Sequence, residues 1–228
     1  TMYSLDSDLT KGSKRTSKMI DSTAGLALER FAAAMESMLT PRTQKWHRLK
    51  ASDPTLGKDT DVKLWFEEAT NVLFKHRYAP KANYASQQHE VYIGLGAFGT
   101  GIMFVDSHDK GGLRYQATDL RELLFDLNHQ GIVDTSYRKF SLTARQMQQR
   151  VDVGRWDSLP DSISKSLKDH SDKKFEIIHC IRPRGEVSHD RKDAKGKEFA
   201  SHYIAVESAH VLSEGGFDTF PYQVRLRF

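Results

Sequence analysis

The chain has 228 residues, 38% of them hydrophobic and 28% charged, and carries a net charge of +4. That length can bury roughly 70% of the surface of the unfolded chain, so one large domain, or one domain with an appendage, is expected. No run approaches the ~18 apolar residues of a membrane span, and no apolar stretch of the signal-peptide kind follows the N-terminus, so no membrane partner is expected.

Residues 1–20 are polar, lack periodicity and hold Lys11, Lys14, Arg15 and Lys18 against Asp6 and Asp8. They read as a flexible, solvated basic arm, with DNA or partner contact as the alternative. The arm holds +2 of the net charge, and the other 208 residues hold the same. A body so nearly neutral lacks the concentrated positive face of a phosphate-binding domain. Asp21 or Ser22 suits a helix N-cap. Leu28, Phe31, Met35, Met38 and Leu39 then recur at helical spacing up to Pro41. A connector holding Trp46 leads to a second helix, from Thr60 or Asp61 to Arg77, with a stripe of Val62, Trp65, Phe66, Ala69, Val72 and Leu73. A third helix runs from Asn83 through "YASQQHEVYIGL".

The pattern then changes. "GIMFVDS", "LRYQATDL", "RELLFDLN" and "IVDTSYRKF" read as strands joined by polar turns. Thr143 and Gln146 form a capping-box pair that opens a short helix ending near Gly154. A further short helix follows Pro160. "KFEIIHCIRPR" is a strand, residues 185–199 a charged loop, and the rest two strands, a Gly-Gly turn and a last extended segment. Helices first and strands afterwards mean an α+β fold, helical over 21–95 and mostly antiparallel and β-rich over 96–228, with short helices among the strands.

Little in this chain has the pattern of catalysis. Gly94, Gly96 and Gly99 spell G-x-G-x-x-G. A dinucleotide turn, however, follows a strand and opens a helix, so that phosphate meets free N–H groups. Here a helix comes first and a strand second, and the orphan carbonyls of a helix C-terminus repel phosphate. The glycines read instead as a junction that needs positive φ and close packing. The histidines, among them His179, His189, His202 and His210, form no compact ligand pattern. Cys180, the lone cysteine, lies in the apolar run "FEIIHCI" and reads as a buried strand thiol. Its neighbour His179 points to the opposite face, and a reducing compartment fits. No catalytic residue, metal or cofactor is assigned, and no enzyme is expected.

Several segments together are similar to a known family. "LTPRTQKWHRL" resembles a proline-then-tryptophan connector. "WFEEATNVLFKHRYAPKANYASQQHEVYIGLGAFGTGIMFVD" resembles a helix pair that ends in Phe-Gly-Thr-Gly. "GIVDTSYRKFSLTARQM", "IIHCIRPR" and "VLSEGGFDTFPYQVRLRF" follow in family order. The chain resembles the N-terminal part of bacteriophage head-to-tail connector proteins, the portal proteins of short-tailed phages. That resemblance implies a wing-like α+β domain over 21–228, with the family's stem helices and clip lying beyond this chain. It implies a non-enzymatic structural subunit of a homo-oligomeric ring, typically of twelve copies, at the capsid vertex of a virion. Double-stranded DNA would pass through the ring in packaging and ejection. Partners would be the terminase packaging ATPase, major capsid and scaffolding proteins, and tail or adaptor proteins, with assembly in the host cytoplasm. Phe98, Gly99, Thr100 and Gly101 would be a structural hinge from helices to sheet. A non-enzymatic nucleic-acid-binding module that uses the basic arm is the alternative.

Overall fold

The computed structural model describes residues 21–109, 111–188 and 190–226. Three helices come first. α1 spans Thr23–Leu39, with Ser22 at its N-cap position and Asp21 Oδ1 accepting from the Thr23 N–H at 3.0 Å. It stops at Thr40, ahead of Pro41. α2 spans Thr60–Arg77. The Asp59 carboxylate accepts from the Asp61 N–H at 2.8 Å, and Lys75 and Arg77 lie in the last turn. Both ends thus match the helix dipole. α3 spans Tyr84–Phe98. Between α1 and α2, Trp46 is pinned in place. Its Nε1–H donates to Tyr78 Oη at 3.0 Å, its ring stacks on Tyr84, and the Arg77 guanidinium lies 4.8 Å from the ring centre.

Two antiparallel sheets follow. The first has the order β2-β1-β8, with β1 at Thr100–Ser107, β2 at Leu113–Ala117 and β8 at Tyr222–Leu226. The second has the order β3-β4-β5-β6-β7, from Leu123–Leu127, Val133–Thr143, Lys174–Pro183, Phe199–Ala205 and His210–Phe217. Two short helices, α4 at Ala144–Asp152 and α5 at Asp161–Asp169, join β4 to β5. The fold is α+β. Thr143 caps α4 with both bonds of a capping box in place: Gln146 N–H to Thr143 Oγ1 at 3.2 Å, and Thr143 N–H to Gln146 Oε1 at 2.9 Å.

Side-chain alternation explains how the layers stack. On β1, Met103 and Val105 face the helices and pack with Val91, Tyr84 and Tyr115. Ile102 and Phe104 face the second sheet and pack with Leu123, Ile181 and Tyr222. A strand covered on both faces reads as a continuous apolar run, and "IMFV" is one. On β5, Phe175, Ile177, His179 and Ile181 share one face and are all buried. α4, α5 and the segment between them cover Phe175 and Ile177 through Met147, Ile163 and Trp156 respectively. The first sheet covers Ile181.

Two expectations need correction. Gly215 and Gly216 form no turn. They lie inside β7, paired with Ser201 and Ala200, and the β6–β7 turn is at 206–209. A β-carbon on Gly216 would stand 2.7 Å from Lys197 Cβ, so glycine is there for the neighbouring loop. The helical stripes are also not fully covered. In α1 the buried residue is Ala32, while Met38 is 78% exposed; in α2 it is Thr70, while Trp65 is 65% exposed. Leu28 and Phe31 do lie against α3 beside Gly96. Met38 and Leu39 stay exposed although Glu36 and Thr40 beside them meet His89 and Tyr92 of α3.

Candidate functional site

Two places concentrate unusual geometry: the glycine junction and a cavity between the sheets. At the junction, the Gly99 N–H closes α3 onto Leu95 O at 3.0 Å with φ at 72°, the left-handed conformation that ends many helices. Thr100 begins β1 at once. Gly101 is buried, and a β-carbon there would lie 2.6 Å from Val91 O. Bare backbone at this position lets β1 pass directly beneath α3. Phe98 is half-exposed at the rim. Gly94 and Gly96 lie inside α3 rather than at the junction, and Gly99 alone of the three ends it with positive φ, so free carbonyls, not free N–H groups, face the turn. Lys11, Lys14, Arg15 and Lys18 lie outside the described residues.

The cavity has a volume of about 680 Å³. It occupies the gap on the inward face of the second sheet, between the cover given by α4 and α5 and the cover given by β1. His179 forms part of its wall. The ring stacks on Tyr203, with centroids 3.9 Å apart, and Nε2 shares a 2.9 Å hydrogen bond with Ser201 Oγ. Burial, aided by the Arg138 charge, pushes its pKa down to about 3. The imidazole is therefore neutral throughout the physiological range. Arg138 binds the Glu122 carboxylate with Nη2 at 2.9 Å and Nε at 3.1 Å. Arg155 ties the segment after α4 to the end of β1. It binds Asp106 Oδ2 at 2.5 Å and also bonds Asp109 and the Ser107 carbonyl. Its bond holds the Asp109 carboxyl below the usual carboxylate range. Residue spacing does not reveal this assembly, because Asp106, Arg138, Arg155 and His179 come together only through pairing and helix packing.

Neither place has the form of a catalytic constellation. His202 lies 4.0 Å from Glu214, and His210 shares a 3.3 Å bond with Ser158 Oγ. His189 is outside the described residues. No group of three or more His, Cys, Asp or Glu among the described residues could hold a metal ion. Cys180 is half-buried on the face of β5 opposite His179, and burial pushes its thiol pKa up. No described helix is long and apolar enough to cross a membrane.

The sequence model of the family described as "Bacteriophage head to tail connecting protein" matches residues 3–226. The chain belongs to this family. It is 30% identical over 227 residues to the portal protein of Salmonella phage epsilon15, an alignment that covers 95% of this chain and 39% of that protein. It is 26% identical over 215 residues to the probable portal protein of Bordetella phage BPP-1, covering 93% of this chain and 38% of that one. The chain thus spans about two-fifths of the length of these curated relatives.

Two outcomes follow from this geometry. Gly99→Val and Gly101→Val should each destabilise the fold by about 1–3 kcal/mol, through left-handed strain and overpacking respectively. Gly25→Ala, on an exposed turn of α1 with no atom within 4 Å of the added carbon, should stabilise by about 0.5–1 kcal/mol. Urea unfolding of the three variants checks both signs. The second outcome concerns pH. The unfolded chain protonates His179 near 6.5, whereas the folded chain does so only near about 3. The buried neutral ring therefore costs nothing above pH 6.5, and stability is lost as pH falls from 6.5 towards 3. His179→Gln should flatten this part of the profile, by on the order of 4 kcal/mol near pH 3. Parallel wild-type and variant profiles would show it, and coincident slopes would contradict it.

Proposed function

We propose that this chain is the wing-like part of a portal subunit, a non-enzymatic structural component of a phage virion. Copies close into a ring, typically of twelve, at one capsid vertex. Double-stranded DNA passes through the ring in packaging and ejection. The terminase ATPase, capsid and scaffolding proteins, and later tail or adaptor proteins, are its partners. Residues 21–228 act as one α+β unit. Phe98 to Gly101 are the hinge between its helical half, 21–95, and its β-rich half, 96–228. The near-continuous match to the head-to-tail connecting family, with two portal proteins aligned over 95% and 93% of the chain, carries this reading.

Surface chemistry supports it. Met38 and Leu39 on α1, and Leu64 and Trp65 on α2, are large apolar side chains left open to solvent, as at a contact surface. Head-to-tail contacts closed by rotation give such faces a partner. The near-neutral body suits a channel in which DNA must slide, because many tight phosphate contacts would hold it fast.

The basic arm favours a second reading, a nucleic-acid-binding module, through four cations within eight residues. Negative-stain microscopy of the full-length protein tests the first reading. Rings with a central hole are expected, and a monodisperse monomer at high concentration would overturn it. Deletion of residues 1–20 tests the second. DNA affinity should fall, and the slope of its logarithm against that of salt concentration should flatten by about one for each phosphate the arm neutralises. Unchanged affinity removes the arm from DNA binding.

A further inference from the structure

The charges around the inter-sheet cavity do not balance. Four guanidinium groups line it, those of Arg114, Arg138, Arg150 and Arg155, against three carboxylates, Asp106, Asp109 and Glu122. Each carboxylate is already engaged. Glu122 takes both bonds of Arg138, and Asp106 and Asp109 both go to Arg155. Arg114 and Arg150 make no salt bridge among the described residues: Arg114 acts on Asp109 only through space, and Arg150 bonds the Tyr203 hydroxyl. Arg114 Nη2 donates to Gln116 Oε1 at 3.3 Å. Arg150 lies against two aromatic rings, its guanidinium carbon 4.9 Å from the centre of Trp156 and 5.7 Å from that of Tyr203.

Burying a cation without a counter-ion is unfavourable, and folds rarely keep one without a use. The neighbouring charges make it worse. Burial first, then Arg114 and Arg155, weaken the hold of Arg150 on its proton, and Tyr203 offsets this only in part. His179 stays neutral and supplies no negative charge. An anion between these groups would relieve every one of these penalties at once.

We propose that this cavity binds a phosphate group through Arg114 and Arg150, either as free phosphate or on a molecule the size of a mononucleotide. Two guanidinium groups without a carboxylate match a divalent oxyanion, and the planar guanidinium fork suits phosphate oxygens. A volume of about 680 Å³ is far more than inorganic phosphate fills and falls in the range of small-molecule sites. The rings of Phe104, Phe140 and Phe217 in its wall suit an organic body attached to the phosphate. The proposal is independent of ring formation, because every residue it uses belongs to one copy.

Calorimetric titration and thermal unfolding of the protein test it, at constant ionic strength set with chloride. The probes are inorganic phosphate and deoxyadenosine monophosphate, both into the millimolar range. Saturable binding with a rise in melting temperature is expected for the wild type. Equal affinity for the two probes identifies phosphate alone as the ligand, and tighter nucleotide binding identifies the larger one. Arg150→Met should weaken binding at least about tenfold, the worth of one charge-assisted hydrogen bond. If that variant does not fold, Arg114→Gln, on the edge strand β2, carries the same expectation. Absence of a saturable response in the wild type would overturn the proposal, as would wild-type affinity in a folded variant. A subunit that binds phosphate without forming rings would separate this proposal from the portal reading.

Discussion

The burial of β1 on both faces is the constraint on which the rest of the structure depends. Ile102 and Phe104 enter one core, and Met103 and Val105 enter another. Burying four such side chains is worth roughly 1.5–3 kcal/mol each. The gain requires cover from both sides. On one side α3 must come within backbone contact, which is why Gly101 lies under Val91 O and why Gly99 ends the helix in a left-handed turn. On the other side the second sheet must be in place, so the core closes only when chain far along the sequence has paired. β8 completes the arrangement by returning to the free edge of β1, with Thr100 opposite Leu226 and Phe104 opposite Tyr222. A strand of eight residues thus ties the start of the β-rich half to its end.

The same constraint creates the cavity. The inward face of β5 is longer than either cover. α4 and α5 protect Phe175 and Ile177, β1 protects Ile181, and the middle position falls between them. A large aliphatic residue there would face the gap. His179 instead stacks on Tyr203 and bonds Ser201, so its polar atom is satisfied and its ring buried. The arginines line the same gap. Arg155 gains most from it, since its bonds to Asp106, Asp109 and Ser107 tie the segment after α4 to the end of β1. Partly buried pairs of this kind are screened less than surface pairs, and losing one partner leaves a charge stranded. The cavity is therefore held open by its charges as well as by its geometry.

Local signals in the sequence are strong where local chemistry decides the outcome. Asp59 and Thr143 cap helices through their own side chains, and Pro41 and Pro160 bound helices by steric rules, so these boundaries are legible residue by residue. Element order alone distinguishes the glycine junction from a nucleotide turn. Where tertiary contact decides, the signal fails. Gly215 and Gly216 look like a turn, but they lie inside β7, and Gly216 is glycine because Lys197, on the loop before β6, stands where its β-carbon would go. Met38 and Trp65 lie on clean helical stripes, yet periodicity says only which residues share a face and not whether the chain supplies anything to cover it. The cavity is illegible for the same reason. Arg114, Arg138, Arg150 and Arg155 have no common spacing, and only the pairing of β4 with β5 and the packing of α4 bring them around His179.

The uncovered stripes then become informative. A helix stripe that a fold buries only in part is unfavourable in a monomer, because exposed Trp and Met order water without gain. Selection against aggregation would replace such residues with polar ones unless another surface covers them in the working state. α1 and α2 keep theirs while the rest of their surface is charged, with Glu29, Arg30, Lys63, Glu67 and Glu68 interspersed. Exposed apolar side chains set among charges of both signs have the composition of a subunit contact. A closed ring uses two unlike faces of each copy, so one such surface needs a complementary one elsewhere on the same molecule. The outer face of the second sheet is a candidate, because Leu124, Tyr137 and Val211 are exposed there and no helix of the described chain covers them. In the proposed ring, a helical face and a sheet face on one subunit would supply the two unlike surfaces that head-to-tail closure needs.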